Sequence, residues 1–259
     1  MILYKYVSFN GAENIIENSS IGFRSILDLN DPFEGSFFSF KDGDKLSGDH
    51  AKTIFRQNMA KKYALLSLTR QPHNALMWAH YGCSHDGVVI GFDANKANFT
   101  NEKTCVIPAQ FGEVIYTSVK NNSIDPLASF ELVEMLSSDA KFSPSSFNLL
   151  KRAFLYKSLE WAYEEEVRVV KRIALERSET GAFENNLHDD WTEIDVNGSP
   201  LHCLKIPRES IVSVHLGYNW MAENMGSKSD LIQSWKSSGI DIFRCDVDLS
   251  SWKVVSRKF

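Results

Sequence analysis

The chain has 259 residues, of which 43% are hydrophobic and 24% are charged, so its composition is that of a globular protein with a sizeable core. The formal net charge of −5 gives no overall attraction to nucleic-acid phosphates or to anionic membranes, so binding of either would need a local basic patch. The four cysteines are far apart and include no C-x-x-C pair, which favours reduced thiols in a cytoplasmic protein. We predict a single domain over residues 1–259, with no membrane partner.

Apolar patterns and turn residues predict both strands and helices along the chain. In the first half, the predicted strands are 3–7, 21–24, 63–69 and 88–92, and the predicted helices are 12–17, 47–62 and 75–81. In the second half, the predicted strands are 111–117, 164–170, 191–196, 201–206, 211–216 and 240–245, and the predicted helices are 127–136, 146–155 and 221–237. Helices scattered among strands without strict βαβ alternation indicate an α+β fold, with a mixed, mainly antiparallel sheet or sheets and flanking helices.

Several nucleotide and hydrolase signatures do not occur in the sequence. It has no G-x-G-x-x-G after a strand, no G-x-x-x-x-G-K-[ST] and no G-x-S-x-G, which argues against Rossmann, P-loop and nucleophile-elbow chemistry. It also has no H-E-x-x-H, and His80 and His85 are five residues apart, a spacing that does not place both on one helical face. With Cys83 between them a metal site is conceivable, but the ligand spacing argues against it and we expect none there.

The opening strand carries Tyr4-Lys5-Tyr6. Because side chains alternate along a strand, Lys5 points to the face opposite Tyr4 and Tyr6, and it would offer a cation beside aromatic walls. The alternative is an exposed lysine between two packed tyrosines.

A loop with several polar groups follows at Asn30-Asp31-Pro32-Phe33-Glu34. The proline keeps Asp31 out of helical backbone angles, and Phe33 is expected to anchor the loop. Asn30, Asp31 and Glu34 are therefore candidate site residues, although an Asx-turn alone would also explain the pattern.

The helix over 75–81 follows a strand that carries Ser67 and Thr69. Trp78 and Tyr81 are three residues apart and share a helical face, while His80 lies nearer Met77. Two such rings would suit stacking on a nucleobase or on nicotinamide. An aromatic stripe that faces the core would give the same spacing.

The segment from Lys157 to Arg168 contains the densest group of charges. Glu164, Glu166 and Arg168 share one face of the predicted strand 164–170, which we interpret as half-buried. Buried carboxylates and a guanidinium are costly unless they pair with each other or with a ligand. If they are solvated, they form an ordinary ladder of ion pairs.

These motifs together resemble a bacterial family known as domain of unknown function 2971. The resemblance covers roughly residues 1–170 and rests on LYKY, LNDPFE, ALLSLTR, NALMWAHYGCSHDGVVIGFD and K-x-x-x-W-x-x-E-x-E-x-R. Their order also resembles, more distantly, the ADP-ribosyltransferase superfamily, which implies a split sheet. The superfamily has arginine or histidine on its first strand, whereas this chain has Lys5, which lacks both the planar fork and the neutral ring nitrogen.

The superfamily resemblance assigns a role to each candidate residue. It implies Lys5 on the first strand, Ser67 or Thr69 on the middle strand, Tyr81 stacked on nicotinamide, and Glu166 or Glu164 as the catalytic carboxylate. The remaining candidates for the dinucleotide site are Tyr6, Trp78, His80 and Arg168. The other candidate site residues are Lys157 and the loop residues Asn30, Asp31 and Glu34.

Three functions remain open at this stage. The first is NAD-dependent ADP-ribosyl transfer to a protein or nucleic-acid acceptor by a toxin or phage-defence effector, with NAD as substrate and no metal. The second is a non-catalytic nucleotide or nucleic-acid sensing module that uses Trp78 and Tyr81. The third is a metal-dependent nuclease with oxygen ligands and a nearby Lys171; its ligands would be Asp31, Glu34, Glu164 and Glu166.

Overall fold

The computed structural model describes residues 1–35, 49–119, 141–173, 175–177, 183–185 and 191–259. Its helices are α1 (Phe9–Asn18), α2 (Asp49–Lys62), α3 (Ala75–Tyr81), α4 (Pro144–Phe154) and α5 (Tyr218–Ser237). Its strands are β1 (Ile2–Val7), β2 (Ser20–Phe23), β3 (Tyr63–Thr69), β4 (Val88–Asp93), β5 (Ile115–Thr117), β6 (Tyr156–Ser158), β7 (Glu166–Arg172), β8 (Leu175–Arg177), β9 (Phe183–Asn185), β10 (Trp191–Val196), β11 (Ser199–Lys205), β12 (Ile211–Leu216), β13 (Asp241–Asp248) and β14 (Lys253–Lys258). None of the helices in these described ranges has the length and apolar character needed to cross a bilayer.

The largest sheet has seven strands in the order β14-β13-β12-β4-β1-β3-β7. Its neighbouring strands are antiparallel except β12 and β13, which are parallel. A three-stranded antiparallel sheet has the order β10-β11-β2, and two small pairs join β5 to β6 and β8 to β9. The predicted α+β fold with a mainly antiparallel sheet is therefore confirmed.

Strand β3 changes its partner along its length, and this opens a split in the sheet. Near its end, Thr69 is opposite Tyr4 of β1, the one register pair between these two strands. Near its start, the backbone of Leu65 exchanges two hydrogen bonds of 2.8 Å with Arg24, just after β2. Ser67 lies between these two pairings. We call the gap between β1 and the end of β2, along β3, the split.

The two faces of the seven-stranded sheet differ in chemistry. One face is apolar and packs on α1 and α5, where the ring of Phe9 stacks on Trp220 and Trp235 at centroid distances of 4.8 and 5.6 Å. The other face packs on α2, α3 and α4, and its side chains change from apolar to polar along β3, from Tyr63 and Leu65 to Ser67 and Thr69. The same change runs along the neighbouring β7, so a polar region lies beside the split.

The sequence predictions agree with most of these elements. The bounds of β3 and α3 are confirmed residue for residue, whereas the predicted helix 127–136 lies outside the described residues. The predicted strand 164–170 is wrong in two ways. First, the strand begins at Glu166, because Glu164 ends a 3₁₀ helix and Glu165 takes a left-handed conformation with φ of 43°. Second, the strand is buried on both faces instead of one. Strands β6, β8, β9 and β14 have no counterpart among the predictions.

Gly112 fits closely against the strand that carries the charged residues. Its carbonyl oxygen accepts a 2.8 Å hydrogen bond from the Arg168 backbone, and a β carbon at Gly112 would overlap the carbonyl oxygen of Arg168. We expect Gly112→Ala to lower the free energy of unfolding by about 1–3 kcal/mol, because overpacking forces the backbone apart. Denaturant titration measures the effect.

The matched control is Gly226→Ala in α5, where a β carbon meets no atom within 4 Å. This variant should be more stable than wild type by up to about 1 kcal/mol, because alanine favours the helix. Equal stability of the two variants would contradict the close approach at Gly112.

Candidate functional site

A cleft of about 1020 Å³ passes through the split. On the polar side of the sheet it is lined by Tyr81 and by the charged residues of β7 and of the preceding segment. On the other side it runs between α1 and the three-stranded sheet. We call this second part the amide arm, and its lining residues include Asn10, Asn14, Asn18, Gly22, Thr192, Ile194 and Cys203.

Five buried charges form a closed network on the polar side of the cleft. We call them the ionic cluster, and its members are Glu34, Lys157, Glu164, Glu166 and Arg168. The Arg168 guanidinium binds both oxygens of Glu166, from Nε at 2.8 Å and from Nη2 at 2.9 Å. It also binds both oxygens of Glu34, from Nη1 at 2.8 Å and from Nη2 at 2.5 Å, and Nη1 donates to the carbonyl oxygen of Phe154 at 2.6 Å.

Lys157 joins the carboxylates of the cluster. Its Nζ lies 2.6 Å from Glu164 Oε2, 3.3 Å from Glu166 Oε2 and 3.7 Å from Glu34 Oε1. The ammonium also lies 4.8 Å from the centroid of the Trp161 ring, which is a cation–π contact. The side chains of the cluster are at most 6% exposed, so the network is desolvated and its stability depends on complete pairing.

Glu164 connects the cluster to Tyr81 and Asn30. The hydroxyl of Tyr81 donates to Glu164 Oε1 at 2.6 Å and accepts from Asn30 Nδ2 at 2.8 Å. The backbone of Glu164 is also fixed, because its carbonyl oxygen accepts from Thr69 Oγ1 at 2.5 Å. The loop, α3 and β3 therefore hold Glu164 in one position at the cleft.

The environment moves the pKa values of the two glutamates in opposite directions. Burial raises the pKa of Glu164, and the nearby charge of Glu166 adds to this effect. Burial would also raise the pKa of Glu166, but Arg168 and Lys157 outweigh it and lower the pKa to about 2, and the Ser67 side chain contributes a hydrogen bond. Two carboxyl groups whose pKa values diverge are typical of a pair with distinct chemical roles.

Lys5 crosses the split from β1. Its Nζ donates to the carbonyl oxygen of Ser67 at 3.1 Å, while register places it on the face opposite Tyr4 and Tyr6, as predicted from the alternation. Burial lowers the pKa of Lys5 to about 8; Glu166 opposes this shift and the positive charge of Arg24 adds to it.

The structure brings most of the predicted residues together, although they come from distant parts of the chain. The predicted residues that line the cleft are Lys5, Tyr6, Asn30, Glu34, Ser67, Thr69, Tyr81, Lys157, Glu164, Glu166 and Arg168. Tyr6 also packs against Trp78 and donates from its hydroxyl to Gln71 O at 2.8 Å. Asp31 does not line the cleft. It is buried and caps its own loop by accepting from the Phe33 backbone at 2.9 Å.

Three details of the sequence interpretation are wrong. Trp78 is fully buried and its indole donates to Pro72 O at 3.0 Å, so it forms no stacking platform with Tyr81. His80 is exposed on α3, and its ring faces Tyr81 and Tyr163 outside the cleft. Phe33 is 70% exposed, and the buried residues of its loop are Asp31 and Glu34.

Sequence reasoning did not identify the residues of the amide arm or Arg24. The asparagines of α1 recur four residues apart, at Asn10, Asn14 and Asn18, which was a usable signal for a polar helix face. Arg24 follows a short strand in which Ser20 and Gly22 lie on one face. Nothing in the sequence around Arg24 identifies it as a site residue.

A family comparison covers part of this site. Residues 77–169 match the family model described as "Protein of unknown function (DUF2971)". This part of the chain is similar to that family. The match extends from α3 to the Lys157–Arg168 segment and leaves out β1 and the Asn30 loop, so it is narrower than the resemblance expected over residues 1–170. Searches of curated proteins and of solved structures found no match.

The contacts also bear on the nuclease hypothesis. Glu34, Glu164 and Glu166 already bind Lys157 and Arg168, which occupy the positions next to their oxygens. Lys171 donates to Thr104 O and Oγ1 at 3.0 and 3.2 Å, on the other face of β7. Within the described ranges, no group of three or more His, Cys, Asp or Glu side chains is arranged to hold a metal ion.

The ionic cluster predicts a large cost for removing one of its cations. We expect Arg168→Met to lower the free energy of unfolding by about 3–5 kcal/mol, because two carboxylates would lose their buried partner. The control is Arg70→Met, because Arg70 pairs with Glu113 at 3.3 Å with side chains 40% and 71% exposed. Its cost should stay below about 1 kcal/mol. Similar costs for both variants in urea titrations would show that the cluster is solvated.

The divergent pKa values can be measured directly by carboxyl ¹³C NMR. Glu166 should titrate near pH 2, and Glu164 should titrate above the ordinary value of 4.5. Because the pKa of Glu166 is lower in the folded than in the unfolded chain, its ionisation stabilises the fold above about pH 4.5, and this stabilisation is lost as the pH falls towards 2. A Glu164 titration below that of Glu166 would reverse the assignment.

Proposed function

We propose that the cleft binds NAD as a substrate, cleaves its nicotinamide–ribose bond and passes ADP-ribose to an acceptor. The observation that carries this proposal is the convergence of Lys5, Ser67, Tyr81, Glu164 and Glu166 on one cleft. Its volume of about 1020 Å³ is at the upper end for small-molecule sites and is sufficient for a dinucleotide.

The reaction needs a carboxylate close to the ribose. When the C1′–N bond breaks, its electron pair leaves with neutral nicotinamide and positive charge develops on C1′ and the ring oxygen. The acceptor then forms a bond to C1′ and loses its proton. A fixed negative group next to C1′ stabilises this charge, and it does so more strongly in a desolvated cleft than in water.

Glu164 is the better placed of the two glutamates for this role. Its Oε1 is held by the Tyr81 hydroxyl at 2.6 Å, and Tyr81 is the predicted stacking partner of the nicotinamide ring. Glu166 instead is held by the guanidinium fork of Arg168 and by Lys157. We therefore assign charge stabilisation to Glu164, and to Glu166 the positioning of Lys157, the cation that holds Glu164.

Asn30 and Tyr81 support the placement of the leaving group. The ring of Tyr81 is half-buried, and the 2.8 Å hydrogen bond from Asn30 Nδ2 to its hydroxyl fixes the orientation of the ring. A ring held in this way can stack on nicotinamide with little loss of side-chain freedom.

One observation favours a second candidate function, the binding of a nucleotide without turnover. Each carboxylate oxygen of Glu164 and Glu166 already accepts a hydrogen bond from the protein. A network that is already complete is typical of a structural role. In that case the protein would bind NAD through Tyr81 and would release no nicotinamide.

The proposal predicts that Glu164→Gln lowers the rate of nicotinamide release from NAD by about 100-fold or more, because a neutral amide cannot stabilise the charge on the ribose. The measurement is chromatographic assay of nicotinamide, with the NAD-dependent melting temperature recorded in parallel. Circular dichroism checks that the variant is folded.

The matched control is Glu160→Gln, which makes the same change on the same 3₁₀ helix at an exposed residue outside the cleft. Its rate should equal that of wild type. Wild-type protein that gains no thermal stability from millimolar NAD would sink the proposal. Stabilisation by NAD without nicotinamide release, abolished by Tyr81→Ala, would support the second candidate.

A further inference from the structure

Three cations of the cleft lie outside the ionic cluster. Lys205 is exposed and donates to the carbonyl oxygen of Asn18 at 2.8 Å, whereas Lys5 and Arg24 lie at the split. Lys5 donates its hydrogen bond to the neutral carbonyl oxygen of Ser67, and no carboxylate oxygen of the described residues lies within 4.0 Å of its nitrogen. The guanidinium of Arg24 makes no hydrogen bond or ion pair with any residue that the structure describes, while Arg24 lines the same cleft. Both are half-buried. A partly desolvated cation without a counter-charge is unfavourable, and an anionic ligand would relieve this cost.

The two cations lie on opposite sides of the split. Arg24 pairs through its backbone with Leu65, and Lys5 reaches Ser67, which is two residues further along β3. They are close enough for the charge of Arg24 to lower the pKa of Lys5. Two like charges held at one opening form a site for a ligand that carries at least two negative charges.

The split also lies between the two parts of the cleft. On the polar side lie Tyr81 and Glu164, and on the other side lies the amide arm, with Asn10 and Asn14 on α1 facing the three-stranded sheet. An elongated ligand that occupies both parts would have its central group at Lys5 and Arg24. In a dinucleotide, the central group is the diphosphate.

The balance of charge agrees with this placement. The lining includes five cationic side chains and four carboxylates, a net charge of +1 in a chain whose net charge is −5. Of the three cations outside the ionic cluster, Lys5 and Arg24 lie at the split and Lys205 lies in the amide arm, while the chain as a whole is acidic. This arrangement favours a small phosphate ester over a long polyanion such as a nucleic acid, which would meet repulsion beyond the cleft.

We infer that Lys5 and Arg24 form a diphosphate-binding subsite that orients a dinucleotide, with its adenosine half in the amide arm and its reacting half at Glu164. Arg24 supplies a planar fork that can bind two phosphate oxygens, and Lys5 supplies a point charge. The inference deepens the proposed function and rests on it for the identity of the whole ligand. The subsite itself can be tested without any turnover.

The experiment is calorimetric titration of the full chain with ADP, inorganic pyrophosphate, adenosine and nicotinamide. We expect ADP and pyrophosphate to bind, and adenosine to bind at least about tenfold more weakly than ADP. Arg24→Gln and Lys5→Met should each weaken ADP binding by about tenfold or more, since each removes charged hydrogen bonds to phosphate. Lys5→Arg should keep most of the affinity, because it keeps the charge.

The control is Arg70→Gln, which makes the same change as Arg24→Gln at an exposed residue paired with Glu113, outside the cleft. It should bind ADP like wild type. Equal ADP affinity of folded Arg24→Gln and wild type, or tighter binding of a single-stranded oligonucleotide than of ADP, would overturn the inference. Binding of ADP that depends on Arg24, in a protein that does not cleave NAD, would retain the subsite and reject the proposed chemistry.

Discussion

The buried bidentate pairing of Arg168 with Glu166 and Glu34 is the interaction on which the site depends. One guanidinium uses its whole donor fork to join β7 to the loop after β2, and Lys157 then joins Glu164 to the same network. Taking these charges out of water is costly, so the network persists only while every partner is present. This all-or-none requirement gives Glu164 a fixed position even though it lies on a 3₁₀ turn and not on a strand.

The change of partner along β3 supplies the second constraint. A strand that pairs with β1 at one end and with the end of β2 at the other leaves a gap between them, and backbone groups in such a gap need other partners. Lys5 meets part of this need through the Ser67 carbonyl oxygen. The same gap connects the two faces of the sheet, so a polar region and an apolar core that would otherwise be separate share one cleft.

The sequence predicted much of this arrangement, and its failures have physical causes. Strands such as β3 were predictable because their apolar runs and turn signals are local. The pattern of charges on 164–170 was correctly recognised as a group, but its burial was not, because alternation on a strand is the same whether a charged face meets water or a partner from elsewhere in the chain. Trp78 was misjudged for the same reason, since helical spacing does not say which side of α3 faces the sheet. Arg24 could not be recognised, because its position at the split is created by non-local strand pairing.

The two kinds of charge in the cleft have different consequences for a ligand. The ionic cluster is closed, so a ligand that approaches Glu164 must replace or reorient an existing hydrogen bond from Tyr81 or from Lys157. Lys5 and Arg24 need no such rearrangement, because they lack carboxylate partners among the described residues. Anion binding at the split should therefore come first, and its binding free energy is then available to offset the local rearrangement at Glu164. This order makes a site whose carboxylate oxygens are all paired compatible with the proposed chemistry, and under that proposal Lys5 and Arg24 contribute to turnover as well as Glu164.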